Sequence, residues 1–148
     1  AWGGPALGPN PAVRAAEMAA TLSPAHQSFL AFDFGTRRIG VASGTRLLGS
    51  AEPRGTIRSG DWDAVAALVG TWQPDALVIG VPRHPDGVPH EMTTKAQNFG
   101  RRLAGRHHLP VFEVDERYTS VEAESQGAHD VDAAAAALIL EQFFREHP

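Results

Sequence analysis

The sequence contains no cysteine. That excludes disulfides, thiolate-bound zinc and cysteine nucleophiles, and it fits a reducing compartment, so the cytoplasm is the expected location. No uninterrupted apolar run approaches the roughly 20 residues needed to span a bilayer. Nothing after Ala1 reads as a charged segment leading into an apolar one, so neither membrane insertion nor secretion is expected. Histidines stand at 26, 84, 90, 107, 108, 129 and 147, but none in the HxH or HxxxH spacing that would favour a zinc site. His84 and His90 bracket a loop and read as surface residues. No serine occupies a G-x-S-x-G elbow, and no glycine-rich loop ends in Gly-Lys-Ser or Gly-Lys-Thr. An excess of positive charge is also missing: the formal net charge is -4. This counts against a tight, sequence-blind grip on nucleic acid.

The average charge hides an asymmetry. Residues 1–58 carry six basic and three acidic side chains, whereas residues 110–148 carry nine acidic and two basic ones. A basic front and an acidic back can build one cleft with a positive rim and a negative floor. At 148 residues the chain is long enough for one domain with a real core. Residues 1–28, with Gly3, Gly4, Pro5, Gly8, Pro9 and Pro11, read as an extension that is loose or forms a short helix over Pro11 to Ala20. The domain proper is read over residues 29–148.

Within it, Phe29–Phe32 reads as a strand ending at Asp33, Ile39–Ala42 as its hairpin partner, and the region near Gly55–Ile57 as a third strand. Val65, Leu68, Val69 and Trp72 lie at helical spacing, with Ser59 or Asp61 as N-cap and Pro74 as stop. Ala76–Val81 is continuously apolar, as befits a strand covered on both faces. A helix is expected from Glu91 to Arg106 on a stripe of Met92, Ala96, Phe99 and Leu103. Val111–Asp115 is the last strand. A final helix is expected from Val131 to Phe144, with Ala135, Leu138, Ile139 and Gln142 or Phe143 turned inward. Short connections make the first three strands antiparallel, and helical crossovers make the later ones parallel. The fold class is therefore α/β, a mixed five-stranded sheet flanked by helices.

Four acids carry the chemistry. Asp33 ends the first strand, Asp115 and Glu116 end the last, and Asp132 opens the final helix. Each has an ordinary reading alone: a turn former, a solvated strand end, a helix-dipole acid. The topology brings all of them to one sheet edge, where each raises the cost of ionising the next. A divalent cation offsets that cost, so Asp33, Asp115 and Asp132 are the candidate metal ligands and Mg²⁺ or Mn²⁺ the candidate cofactor. Two such ions about 4 Å apart activate a water and stabilise the departing oxygen of a phosphodiester. Gly35, Thr36, Arg38, Arg83, Arg117 and Thr119 supply backbone N–H groups, hydroxyls and forked guanidinium donors suited to phosphate. Arg101, Arg102 and Arg106 read as a solvated helix face that could also extend a backbone-binding track.

Asp33-Phe34-Gly35-Thr36-Arg37-Arg38-Ile39-Gly40-Val41-Ala42 resembles the opening motif of the YqgF family. Val78 to Pro82 with Asp86-Gly87, the block from Asp115 to Ala123, and Asp132 to Leu140 resemble its later motifs. Actin-like ATPases share the first hairpin, but four blocks in order over residues 29–146 are specific. The resemblance implies a ribonuclease H-like fold, with Asp33, the Asp115/Glu116 pair and Asp132 as catalytic carboxylates. It further implies 5′-end maturation of pre-16S rRNA in the cytoplasm, in preference to resolution of a DNA junction. Two other readings compete: a nucleotide-binding module using the Gly35–Gly40 hairpin, and a non-catalytic RNA-binding protein of ribosome assembly. The stretch between Glu124 and Asp132 contains no Lys or Arg, whereas the family carries a longer, often basic one there. The sequence does not specify the oligomeric state.

Overall fold

A computed structural model describes residues 22–88, 91–116 and 130–148. The strands are β1 (Ser28–Phe34), β2 (Arg38–Thr45), β3 (Ala51–Arg58), β4 (Ala76–Val81) and β5 (Val111–Asp115). The helices are α1 (Trp62–Trp72), α2 (Glu91–His107) and α3 (Val131–Glu146). One sheet runs in the order β3-β2-β1-β4-β5. β1, β2 and β3 pair antiparallel, and β4 is parallel to both β1 and β5. β1 begins at Ser28, one residue before the expected boundary, because the Asp75 carboxylate accepts hydrogen bonds from the backbone N–H groups of Gln27 and Ser28. The segment Pro11 to Ala20 lies outside the described residues. No helix among the described residues is long and apolar enough to cross a membrane.

Strand side chains alternate between faces, and this sorts the core into two layers. Leu30, Phe32, Ile39, Val41, Leu77, Ile79 and Val111 face α1 and α2, where they meet Val65, Phe99 and Leu103. Phe29, Ala31, Ala42, Val78, Phe112 and Val114 face α3. The helices dock differently from their periodicity alone. In α1 only Val65 is fully buried, and Trp72 is exposed beneath the Arg54 guanidinium, 4.2 Å from its ring centroid. In α2 the buried stripe includes Thr93 and Gly100, and Met92 is only half-buried. In α3 Phe143 is buried rather than Gln142, and Ala136, Leu140 and Phe144 join it while Leu138 sits at the margin.

Side-chain size along α3 explains its placement. The alanine-rich first half lets the helix backbone settle onto the small residues of β1 and β2. The second half stands off the sheet on Phe143 and Phe144, which pack against Phe29 with centroids 5.2 and 5.7 Å away. Burying each such ring stabilises the fold by roughly 1.5–3 kcal/mol. The lowest point of contact is at Gly40, where a Cβ would lie 1.8 Å from the carbonyl oxygen of Asp132. Gly40→Ala therefore forces β2 and α3 apart. It should cost about 1–3 kcal/mol, a drop of about 2–4 °C in melting temperature per kcal/mol, readable by thermal unfolding.

Candidate active site

The start of α3 is pinned to the sheet edge by a capping arrangement. Asp130 is the N-cap; its carboxylate accepts from the backbone N–H of Ala133 at 3.0 Å. The Thr56 hydroxyl on β3 donates to the same carboxylate oxygen at 2.6 Å. The Thr56 hydrogen bond, outweighing partial burial, holds the Asp130 carboxyl below its usual range. Gly40 faces Asp33 across the β1–β2 ladder, so the helix start that rests on Gly40 carries Asp132 to the neighbourhood of Asp33.

Glu116 arrives from the other side. It follows β5 immediately and continues the parity of Phe112 and Val114, the α3 face. Gly80 makes room for it: a Cβ on Gly80 would lie 2.2 Å from Glu116 Oε1 and 2.5 Å from Ile139 Cδ1. Glu116 and Asp33 share a side-chain hydrogen bond. Burial, then the charge of Asp33, then that hydrogen bond and the charge of Asp115 push the Glu116 carboxyl up to about 8. Burial also raises Asp33, against the lowering effect of the bond from Glu116 and with a smaller push from Asp132. The hydrogen bond lowers Asp33 and raises Glu116, so in the pair Glu116 is the donor and the Asp33 carboxylate the acceptor.

Asp115 lies on the opposite parity of β5 from Glu116. It shares the parity of Val111, which packs in the α1/α2 layer, and of Glu113, which accepts from Gln97 of α2 at 3.3 Å. Its register partner is Val81 of that same layer. Of the expected metal set Asp33, Asp115 and Asp132, strand alternation puts Asp33 on the α3 face and Asp115 on the other parity of β5, while Glu116 joins Asp33 on the α3 face. The charge of Asp115 adds to the upward push on Glu116.

An open cleft of about 850 Å³ adjoins the acids, lined by Gly35, Thr36, Arg37, Arg38, Arg58, Ser59 and Asp132. The antiparallel register sets Arg38 opposite Arg58, so two guanidinium groups stand at one strand end. Arg38 Nε lies 3.1 Å from Asp132 Oδ2. Gly35, Thr36 and Arg38, expected from the sequence to meet phosphate, line this cleft. Arg83 lies half-buried just beyond β4 and is not part of this lining. Arg117 and Thr119 lie outside the described residues. The sequence does not single out Arg58 or Thr56, and Gly40 and Gly80 enter only as members of motifs; the early basic bias hints at Arg58.

The donor set suits a hard divalent cation. Asp33 and Glu116 are half-buried carboxyls that share a hydrogen bond, and partial burial followed by their mutual charge raises Glu116, a cost that a cation between them would offset. Among the described residues no group of three His, Asp or Glu side chains is gathered tightly enough to cage a metal alone. Mg²⁺ requires no such cage, since it is usually held by one or two carboxylates with water and phosphate completing its shell.

A mixed sheet in this order, with acids from β1, the end of β5 and the start of α3 at one edge, defines a ribonuclease H-like α/β protein. In keeping with that fold, Thermus thermophilus RuvC in complex with a Holliday junction substrate superimposes with a TM-score of 0.52 at 13% identity, covering 82% of this chain and 97% of that one. The chain belongs to the RuvX family, described as Holliday junction resolvase, whose profile matches residues 27–146. A relative from Albidiferax ferrireducens named "Putative pre-16S rRNA nuclease" is 52% identical over 147 residues, covering 93% of this chain and 94% of its own. A relative of the same name from Marinobacter nauticus is 46% identical over 137 residues, covering 83% and 96%.

Proposed function

We propose that this chain is a metal-dependent nuclease that cuts phosphodiester bonds in structured nucleic acid, and that its substrate is the 5′ end of pre-16S rRNA in the cytoplasm. The observation that carries this reading is the Asp33–Glu116 carboxyl pair beside a cleft rimmed by Arg37, Arg38 and Arg58. Asp33 and Glu116 would hold the divalent ion, with Asp132 at its margin. When bound, the ion supplies Lewis acidity toward a water and the scissile phosphate. The arginines orient the phosphodiester by forked hydrogen bonds. Arg38, paired to Asp132, couples the seating of a phosphate to the position of that carboxylate. Glu116 must give up its proton before it can act as a ligand, so cleavage at limiting metal should rise with pH through the neutral range.

The preference for rRNA is supported by the names of the relatives; the family description favours a four-way DNA junction as the second reading. Labelled precursor rRNA and a four-way DNA junction, incubated side by side with Mg²⁺, Mn²⁺ or EDTA, separate the two. The expected result is metal-dependent cutting of the rRNA. Cutting of the junction alone would transfer the activity to DNA, and cutting undiminished by EDTA would contradict the metal mechanism.

A further inference from the structure

The α1/α2 side of the molecule carries a cationic surface that the cleft does not include. Trp62 opens α1, and its ring lies against Phe99 of α2 with centroids 5.5 Å apart and planes 31° apart. Phe99 in turn lies on Phe34, at 5.0 Å and 32°. Phe34 is the last residue of β1 and precedes the Gly35–Arg38 bend of the cleft. Two exposed arginines of α2 cover the indole: Arg106 Cζ stands 4.3 Å and Arg102 Cζ 5.5 Å from the ring centroid.

We propose that Arg102 and Arg106, held over Trp62, form a second contact for the phosphate backbone of the nucleic acid. This rests on the nuclease reading and extends it, by stating where the substrate runs beyond the point of cutting. Three features support it. The aromatic stack fixes the indole, so the guanidinium groups are ordered before any ligand arrives and lose less freedom on binding. Neither arginine makes an ion pair among the described residues. Of the two acids flanking Trp62, Asp61 is engaged in capping α1 through the N–H of Ala64, and Asp63 is exposed in the first turn without an ion pair to either arginine among the described residues. The surface is also continuous with the cleft. Ser59 lines the cleft and its N–H donates to the Arg37 carbonyl at 2.9 Å. Trp62 follows three residues later, at most about 11 Å away along the chain. Successive phosphates of one strand advance about 3.4 Å along a duplex axis, so a strand seated at Arg38 and Arg58 offers this surface a phosphate roughly three nucleotides on.

The test compares wild type with the double variants Arg102→Gln/Arg106→Gln and Arg102→Lys/Arg106→Lys. Binding of a labelled precursor-rRNA hairpin and a four-way junction is followed by anisotropy from 50 to 200 mM salt, in EDTA, with cleavage measured in parallel. The glutamine variant should bind about tenfold more weakly at 100 mM salt. Its salt slope should fall by about 1.4 to 1.8, the release expected for two phosphate contacts, and the loss in cleavage should fall on KM rather than kcat. The lysine variant should recover most of the slope. A glutamine variant with the wild-type slope would overturn the proposal. So would a lysine variant as weak as the glutamine one, since that would trace the defect to lost packing on Trp62. A wild type that shows the arginine-dependent slope but cuts nothing would remove the nuclease reading and leave this contact standing.

Discussion

Asp33→Asn should lower turnover on the order of 10³-fold while making the metal-free protein more stable above neutral pH. The loss follows from removing a carboxylate that would hold the ion and shape the charge around the reacting phosphate. The gain in stability follows from the half-buried pair. Both Asp33 and Glu116 bind protons more tightly in the folded chain than in the unfolded one. A group with a raised folded value gives its full stability below the unfolded value and loses it as pH rises through the folded value. Wild-type stability should therefore decline as pH climbs from about 4.5 to about 8, the window set by Glu116. Asparagine keeps the shape of the side chain and removes one of the two confined charges. The decline should flatten, and the melting temperature at pH 8 in EDTA should rise by a few degrees, since about 1 kcal/mol moves it about 2–4 °C in a chain of this size. Thermal unfolding across pH with parallel cleavage assays reads both effects. A variant that loses activity and stability together at pH 8 would mean that Asp33 is structural rather than a strained ligand.

The second large effect distinguishes two adjacent acids. Glu116→Gln should abolish cleavage to about the same degree as Asp33→Asn, whereas Asp115→Asn should change it by less than about tenfold. The reason is strand alternation: Glu116 lies over Gly80 on the face that α3 covers, and Asp115 lies on the face of Glu113 and Val111. The charge of Asp115 adds to the upward push on Glu116. Equal losses in kcat for the two variants, with both proteins folded, would contradict the assignment.

The contrast between those neighbours also shows how far a sequence can be read here. The continuous run Ala76–Val81 identified a doubly covered strand, and the helix opened by Asp61 stood out by its cap and spacing. These features depend on residues close in the chain. Whether Asp115 or Glu116 meets Asp33 depends on which face of β5 receives α3, and α3 lies beyond residues 117–129. Counting by twos from Phe112 and Val114 gives Glu116 once that face is known, but no local signal tells it. Gly80 and Gly40 look like ordinary weak strand positions until Glu116 and the start of α3 are laid on them. Arg58 meets Arg38 only through a register that shifts between Val41 and Ala42, opposite Pro53 and Gly55, whose φ of 112° fits a bulge that the sequence marks only by those two residues. Thr56 is likewise an unremarked strand threonine until Asp130 is brought against it.

Ion binding itself gives the most direct test. Wild-type protein at pH 7.5 is titrated with Mn²⁺ by calorimetry in two buffers of different ionisation enthalpy, and its melting temperature is followed alongside. The expected result is saturable binding, release of a large fraction of a proton from the Asp33–Glu116 pair, and a gain of about 2.7 kcal/mol in stability at a hundredfold excess over Kd. Glu116→Gln should abolish the proton release. Binding of Mn²⁺ with no proton release, or a melting temperature indifferent to the ion in a protein that still cuts RNA, would contradict it.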